Sequence, residues 1–95
     1  MGIMGQTTGL PAASEDQVRA SRDELLALAE RHGLSRLRVS ASGRIVASVE
    51  HGRGYVDVVR YEREADAILG AHVDVVSDDV LDDSADDELR AARPL

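Results

Sequence analysis

The sequence predicts an α/β (α+β) domain, a small mixed β-sheet of about four strands with helices packed on it. Three observations lead there. Val18, Leu25, Leu26, Leu28 and Ala29 share one helical face, short stretches such as Leu37 to Ala41 and Ile45 to Glu50 alternate apolar with polar residues, and the two patterns interleave. A chain of 95 residues has room for one such domain.

Taken in order, residues 1–13 mix Gly, Thr and Pro without periodicity and read as a flexible arm, and residues 14–95 form the single domain. Ser14 with Gln17, and Ser21 with Glu24, have capping-box spacing ahead of the apolar run. A helix follows over 22–33, and His32-Gly33 supplies its stop. Leu37, Val39 and Ala41 alternate with Arg36, Arg38 and Ser40 in a first strand that ends in the small-residue turn Ala41-Ser42-Gly43. Ile45, Ala47 and Val49 alternate with Val46, Ser48 and Glu50 in a second. His51-Gly52-Arg53-Gly54 then reads as a glycine-rich turn leading into a strand from Tyr55 to Tyr61, which would make a hairpin. Glu62 to Gly70 reads as a short helix, and His72 to Val76 as a last strand. Val80, Leu81 and Leu89 anchor one or two short helices before Pro94.

Composition narrows the function classes. The chain has no Cys, hence no disulfide, thiolate zinc site or Cys nucleophile, and no Lys, hence no Walker-type phosphate loop. Two tyrosines are its only aromatics, which excludes stacking platforms for bases. No apolar run approaches the roughly 20 residues a membrane span needs, and no signal peptide is visible, so a cytoplasmic protein that avoids membranes is expected. Charge is uneven. Between Arg31 and Arg63 seven arginines face three acids, whereas Asp74 to Glu88 holds eight acids and no base, within a net charge of −7. The basic middle suits the phosphates of a nucleotide, while the acidic C-terminal segment and the net charge oppose direct nucleic-acid binding. A solvated surface explains either run equally well.

One constellation carries chemistry. The tetrapeptide Val-Asp-Val-Val occurs at 56–59 and again at 73–76. Side chains alternate along a strand, so pairing the two copies in register would bring Asp57 and Asp74 together on one face, where paired carboxylates attract a divalent metal. Ordinary outward-facing polar positions are the other reading. Ser42, Gly43 and Arg44 offer a hydroxyl, backbone N–H groups and a guanidinium directly after a strand, enough to cradle phosphates, or simply to turn a hairpin. His32, His51 and His72 lack metal-ligand spacing and lie at element ends.

On these residues the chain resembles the minimal nucleotidyltransferase domain of the polymerase-beta superfamily, the MNT type often paired with a HEPN-domain toxin. The family pattern is a leading helix, a strand ending in Gly-Ser, an Asp-x-Asp strand, a helix, a strand with a third Asp, and a short end often reading Ala-x-Pro-Leu. Helix 22–33 before LRVSAS, Ser42 as the motif serine, Asp57 as the second Asp, Asp74 in HVDVVSDDVL as the third, and the closing ELRAARPL carry the likeness over about residues 22–95. Ala41 replaces the motif glycine, and Tyr55 stands at the first Asp. The resemblance implies Asp57 and Asp74 as catalytic and magnesium-binding residues, and Ser42, Gly43 and Arg44 as the nucleotide-binding residues. It implies Mg2+ and ATP as cofactors, and AMP transfer to a hydroxyl on a protein partner such as a HEPN-type toxin. With Tyr55 in place of an acid, weak or no transferase activity is expected, and an antitoxin-like role in binding and restraining that partner, in a homo- or hetero-oligomer. A catalytically dead binding module and an acidic nucleic-acid mimic are the alternatives.

Overall fold

The computed structural model describes residues 10–79 and 87–95. The elements run α1 (Glu15–Ala20), α2 (Arg22–Arg31), β1 (Leu34–Val39), β2 (Ile45–Val49), α3 (Tyr55–Leu69), β3 (Val75–Ser77), α4 (Asp87–Arg90) and β4 (Arg93–Pro94). The four strands form one mixed sheet in the order β3-β2-β1-β4, with β1 antiparallel to both β2 and β4, and β2 parallel to β3. The predicted fold class, a small mixed four-stranded sheet with helices on it, is what forms.

The leading helix is two helices. Ser14 closes the capping box: its Oγ accepts the Gln17 N–H at 3.1 Å while Gln17 Oε1 accepts the Ser14 N–H at 2.9 Å. Ser21 makes no side-chain cap and marks the break before α2. The arm predicted over 1–13 ends sooner, because Ala13 is buried and its N–H donates to the His72 carbonyl at 2.7 Å. The remainder of that arm, residues 1–9, lies outside the described residues, as do Val80 and Leu81.

Strand β1 begins two residues earlier than predicted, at Leu34. Leu34 and Leu37 are both buried although their spacing is out of step with a two-residue period; a register shift between Ser35 and Arg38, with Arg36 at φ 51°, inserts the residue that turns both leucines to the same core. The hairpin is β1–β2, turning through Ser40–Arg44. No hairpin forms at 51–54. There Gly54 caps a helix that runs unbroken from Tyr55 to Leu69, so the predicted strand Tyr55–Tyr61 and helix Glu62–Gly70 are one element, closed by Gly70 at φ 65°. Val58, Tyr61 and Ala65, spaced three and four apart, are its buried stripe, and packing against α2 and the sheet outweighs the strand preference of the valines. The last predicted strand shifts to Val75–Ser77, and β4 was not predicted at all.

Because β2 is central, it is buried on both faces. Ile45 and Ala47 join Val18, Leu25, Leu28, Val39 and Tyr61 in the main core beneath the helices, and Val46 joins Leu89, Ala92 and half-buried Val76 in a smaller cluster on the other face.

Candidate functional site

Asp57 is the third residue of α3, and its carboxylate accepts the Gly54 N–H at 3.1 Å and Arg53 Nη1 at 3.3 Å. The Gly54 bond above all holds it below the usual 3.8, with burial opposing and Arg53 and Arg60 adding to the lowering. One oxygen, Oδ2, thus closes the start of the helix on the Gly54 N–H, and the other, Oδ1, pairs with Arg53.

Asp74 stands just before β3, its carbonyl accepting the Ile45 N–H at 2.8 Å. His72 lies between two carboxylates, with Nε2 3.1 Å from Asp74 Oδ1 and Nδ1 2.9 Å from Asp66 Oδ2, while Asp66 Oδ1 accepts the Val73 N–H at 2.8 Å. Two carboxylates favour the doubly protonated ring, so His72 titrates above its ordinary 6.5, chiefly through Asp66, with Asp74 adding and burial opposing.

Strand pairing does not bring Asp57 and Asp74 together. Val75 is in register with Ile45 at the start of β2, whereas Asp57 follows the loop that leaves β2 after Val49. About 13 Å of strand separates those two ends.

Ser42, Gly43 and Arg44 do share one turn. Gly43 sits at φ 87°, and a Cβ there would lie 2.3 Å from the Ala13 carbonyl oxygen. Ser40, buried, accepts the Arg44 N–H on its Oγ at 3.1 Å and lies 3.2 Å from Ser42 Oγ. The turn's donors are engaged by a residue the sequence offered only as part of an acidic run. Glu88 Oε2 accepts the Ser42 N–H at 3.2 Å and also the Ser42 hydroxyl. Hydrogen bonds from Ser40 and then Ser42, with Arg44 nearby, hold Glu88 below the usual 4.5 against slight desolvation. No local signal marks it, since the contact joins residues 46 apart.

A hollow of about 510 Å3 opens at the start of α3 between Val49, Gly54, Val58 and Asp79, beside the exposed Tyr55 and Val56. No helix among the described residues is long and apolar enough to cross a membrane.

Leading helices, an antiparallel hairpin, a crossover helix and a parallel third strand entered through an aspartate make this a nucleotidyltransferase-fold domain. Comparisons with protein-family models and with curated proteins yield no match. Among solved structures, the chain is similar to a protein described as a minimal nucleotidyltransferase, at 30% identity and a TM-score of 0.69, over 87% of this chain and 97% of that one. The chain belongs to the minimal nucleotidyltransferases.

That fold in general uses a nucleotide and metal ions, and the donors of this chain do not fit a metal pair. By element order the place of the Asp-x-Asp strand, between the serine strand and the helix, falls to β2, not to Tyr55-Val56-Asp57 in the helix beyond it. Strand β2 reads Ile45-Val46-Ala47-Ser48-Val49 and follows Arg44. Asp74, the acid that the resemblance matches to the third Asp, stands just before β3 and next to the apolar start of β2. A carboxylate about 4 Å from a metal is worth on the order of 4 kcal/mol per unit of metal charge at an effective dielectric near 20, and two are missing. Among the described residues no group of three or more His, Cys, Asp or Glu could hold a metal ion.

Proposed function

We infer that this chain is a non-catalytic minimal nucleotidyltransferase that works in an antitoxin-like way, binding and restraining a protein partner. The observation that supports the reading is β2, which by element order stands between the strand ending in the serine turn and α3, and has no carboxylate. The family resemblance supports a HEPN-type toxin as the kind of partner, and a core this small gains stability from a complex.

Calorimetric titration of Mg-ATP into the purified chain, beside Asp74→Asn, tests the catalytic half. No heat of binding up to millimolar ATP is expected from either protein. Binding by the native chain that disappears in the variant would restore AMP transfer to a partner hydroxyl as the function. For the binding half, Asp57→Ala and Asp74→Ala should leave association with a HEPN-type partner, and suppression of its activity, intact.

A further inference from the structure

We propose that the outward face of α3 is the surface on which a protein partner docks, and that the partner meets it with an acidic segment bearing an apolar side chain. The inference rests on the antitoxin-like reading above and gives it a place on the molecule. Val56, Arg60, Arg63 and Ala67 are all exposed and follow one another at helical spacing, so they form one outward stripe of α3. Tyr55 is 80% exposed and Val56 61%, the most exposed large apolar side chains among the described residues, and they stand together at the start of that stripe.

Charge decides the kind of partner. Every carboxylate of α3 is engaged within the chain. Asp57 holds Arg53 and the Gly54 N–H, Glu62 accepts the Val75 N–H at 3.0 Å, Glu64 lies 2.7 Å from His32 Nε2, and Asp66 holds His72 and the Val73 N–H. The two arginines of the helix are not matched in this way. Arg60 acts on Asp57 through its charge alone, and neither Arg60 nor Arg63 has a hydrogen bond or ion pair among the described residues. On a chain of net charge −7, α3 therefore presents free positive charge beside apolar groups, a combination complementary to carboxylates of another protein. Two free arginines against that net charge are too few to hold a nucleic-acid backbone.

The apolar half of the contact has a seat in the hollow of about 510 Å3 at the start of α3, where Val49, Val58 and Tyr55 supply apolar lining. Glu50 and Asp79 line it too, so the partner's acids belong along Arg60 and Arg63, about 6 and 10 Å up the helix axis from Val56. This surface adjoins the ends of β2 and β3 at Val49 and Ser77, whereas the Ser42 turn leads into the start of β2. The two places are separate.

The test is calorimetric titration of a purified HEPN-type protein into the native chain, the double variant Arg60→Glu, Arg63→Glu, and the single variants Tyr55→Ala and Val56→Asp, with Arg36→Glu on β1 as control. The double variant should bind on the order of tenfold or more weaker and lose most of the salt dependence of the native complex. Tyr55→Ala and Val56→Asp should each weaken binding by a similar factor, and Arg36→Glu should leave it unchanged. All four altered side chains of α3 are exposed, and an acid at position 56 suits the first turn of a helix, so folding survives; Arg60→Gln, Arg63→Gln decides the matter should the reversal unfold the chain. A native complex that none of the α3 variants weakens overturns this surface and leaves the antitoxin-like reading standing. Absence of any native complex overturns that reading, and the surface with it. Equal weakening by Arg36→Glu makes net charge, not this face, the cause. Sedimentation of the chain alone and titration of a single-stranded RNA oligomer complete the test: self-association or RNA binding that the double variant abolishes would assign α3 to a second copy or to nucleic acid and overturn the proposal.

Discussion

On one face of the sheet, Ile45 and Ala47 meet side chains from α1, α2 and α3 in a single apolar core; on the other, Val46 meets only Leu89, Ala92 and half-buried Val76, and the closure is completed by Glu88 on Ser42. Apolar burial on the first face is insensitive to pH. The second face, closed by a small cluster and a charge-assisted hydrogen bond to Glu88, answers to pH.

The largest effect should come from the strong face. Tyr61 is fully buried, and its hydroxyl donates to the Leu25 carbonyl at 3.1 Å, tying α3 to α2. Burial drives its phenol well above the ordinary 10, so it stays neutral and donating throughout the stable range. Tyr61→Ala should cost about 3–5 kcal/mol in urea denaturation, much of the stability a domain of this size has. Tyr61→Phe should cost about 0.5–1.5 kcal/mol.

Next comes Gly43→Ala, which forces a side chain into a positive φ and against the Ala13 carbonyl. A loss of about 1–3 kcal/mol in thermal melting is expected from the conformation alone, together with faster hydrogen exchange at Ser42.

A sharper comparison pairs Leu28→Ala with Leu89→Ala, both residues being buried. Leu28 in the main core should lose about 2–5 kcal/mol with protection falling across the whole sheet. Leu89 should lose less, with the drop in hydrogen-exchange protection confined to Ser42, Val46 and the C-terminal residues. If Leu89→Ala unfolds the chain globally, the two faces are one cooperative unit and the distinction fails.

The smallest effects are set by pH, with opposite signs. Glu88 has a lowered pKa, so its contribution is complete above 4.5 and is lost as pH falls through the lowered value. His72 has a raised pKa, so the clamp between Asp66 and Asp74 contributes fully below 6.5 and is lost as pH rises through the raised value. An amide titration should therefore show Ser42 released on the acid side, and Ala13 and Val73 loosened on the alkaline side. Identical behaviour in Glu88→Gln would break the first half of that expectation.

Several elements were legible because their signals are local. The Ser14–Gln17 box, the Gly33 and Gly70 stops, β2, and the turn holding Ser42, Gly43 and Arg44 each depend on residues a few positions apart. Between Tyr55 and Tyr61 the local signal misled. Alternating valines favour a strand, and the helical stripe Val58, Tyr61, Ala65 becomes visible only when that stretch is joined to the one after it. The repeated Val-Asp-Val-Val misled in the same way, since one copy is helix and the other enters β3.

By itself, then, the sequence determined the class of fold, the capping and turning points, the missing cysteine and lysine chemistries, and the family likeness, all of which follow from composition or short-range pattern. Tertiary structure alone decided that Tyr55–Leu69 is one helix, that strand pairing leaves Asp57 and Asp74 apart, and that Glu88 closes on Ser42. Those outcomes depend on which elements lie side by side, and that is settled by the burial of distant apolar residues against one another, which no local spacing records.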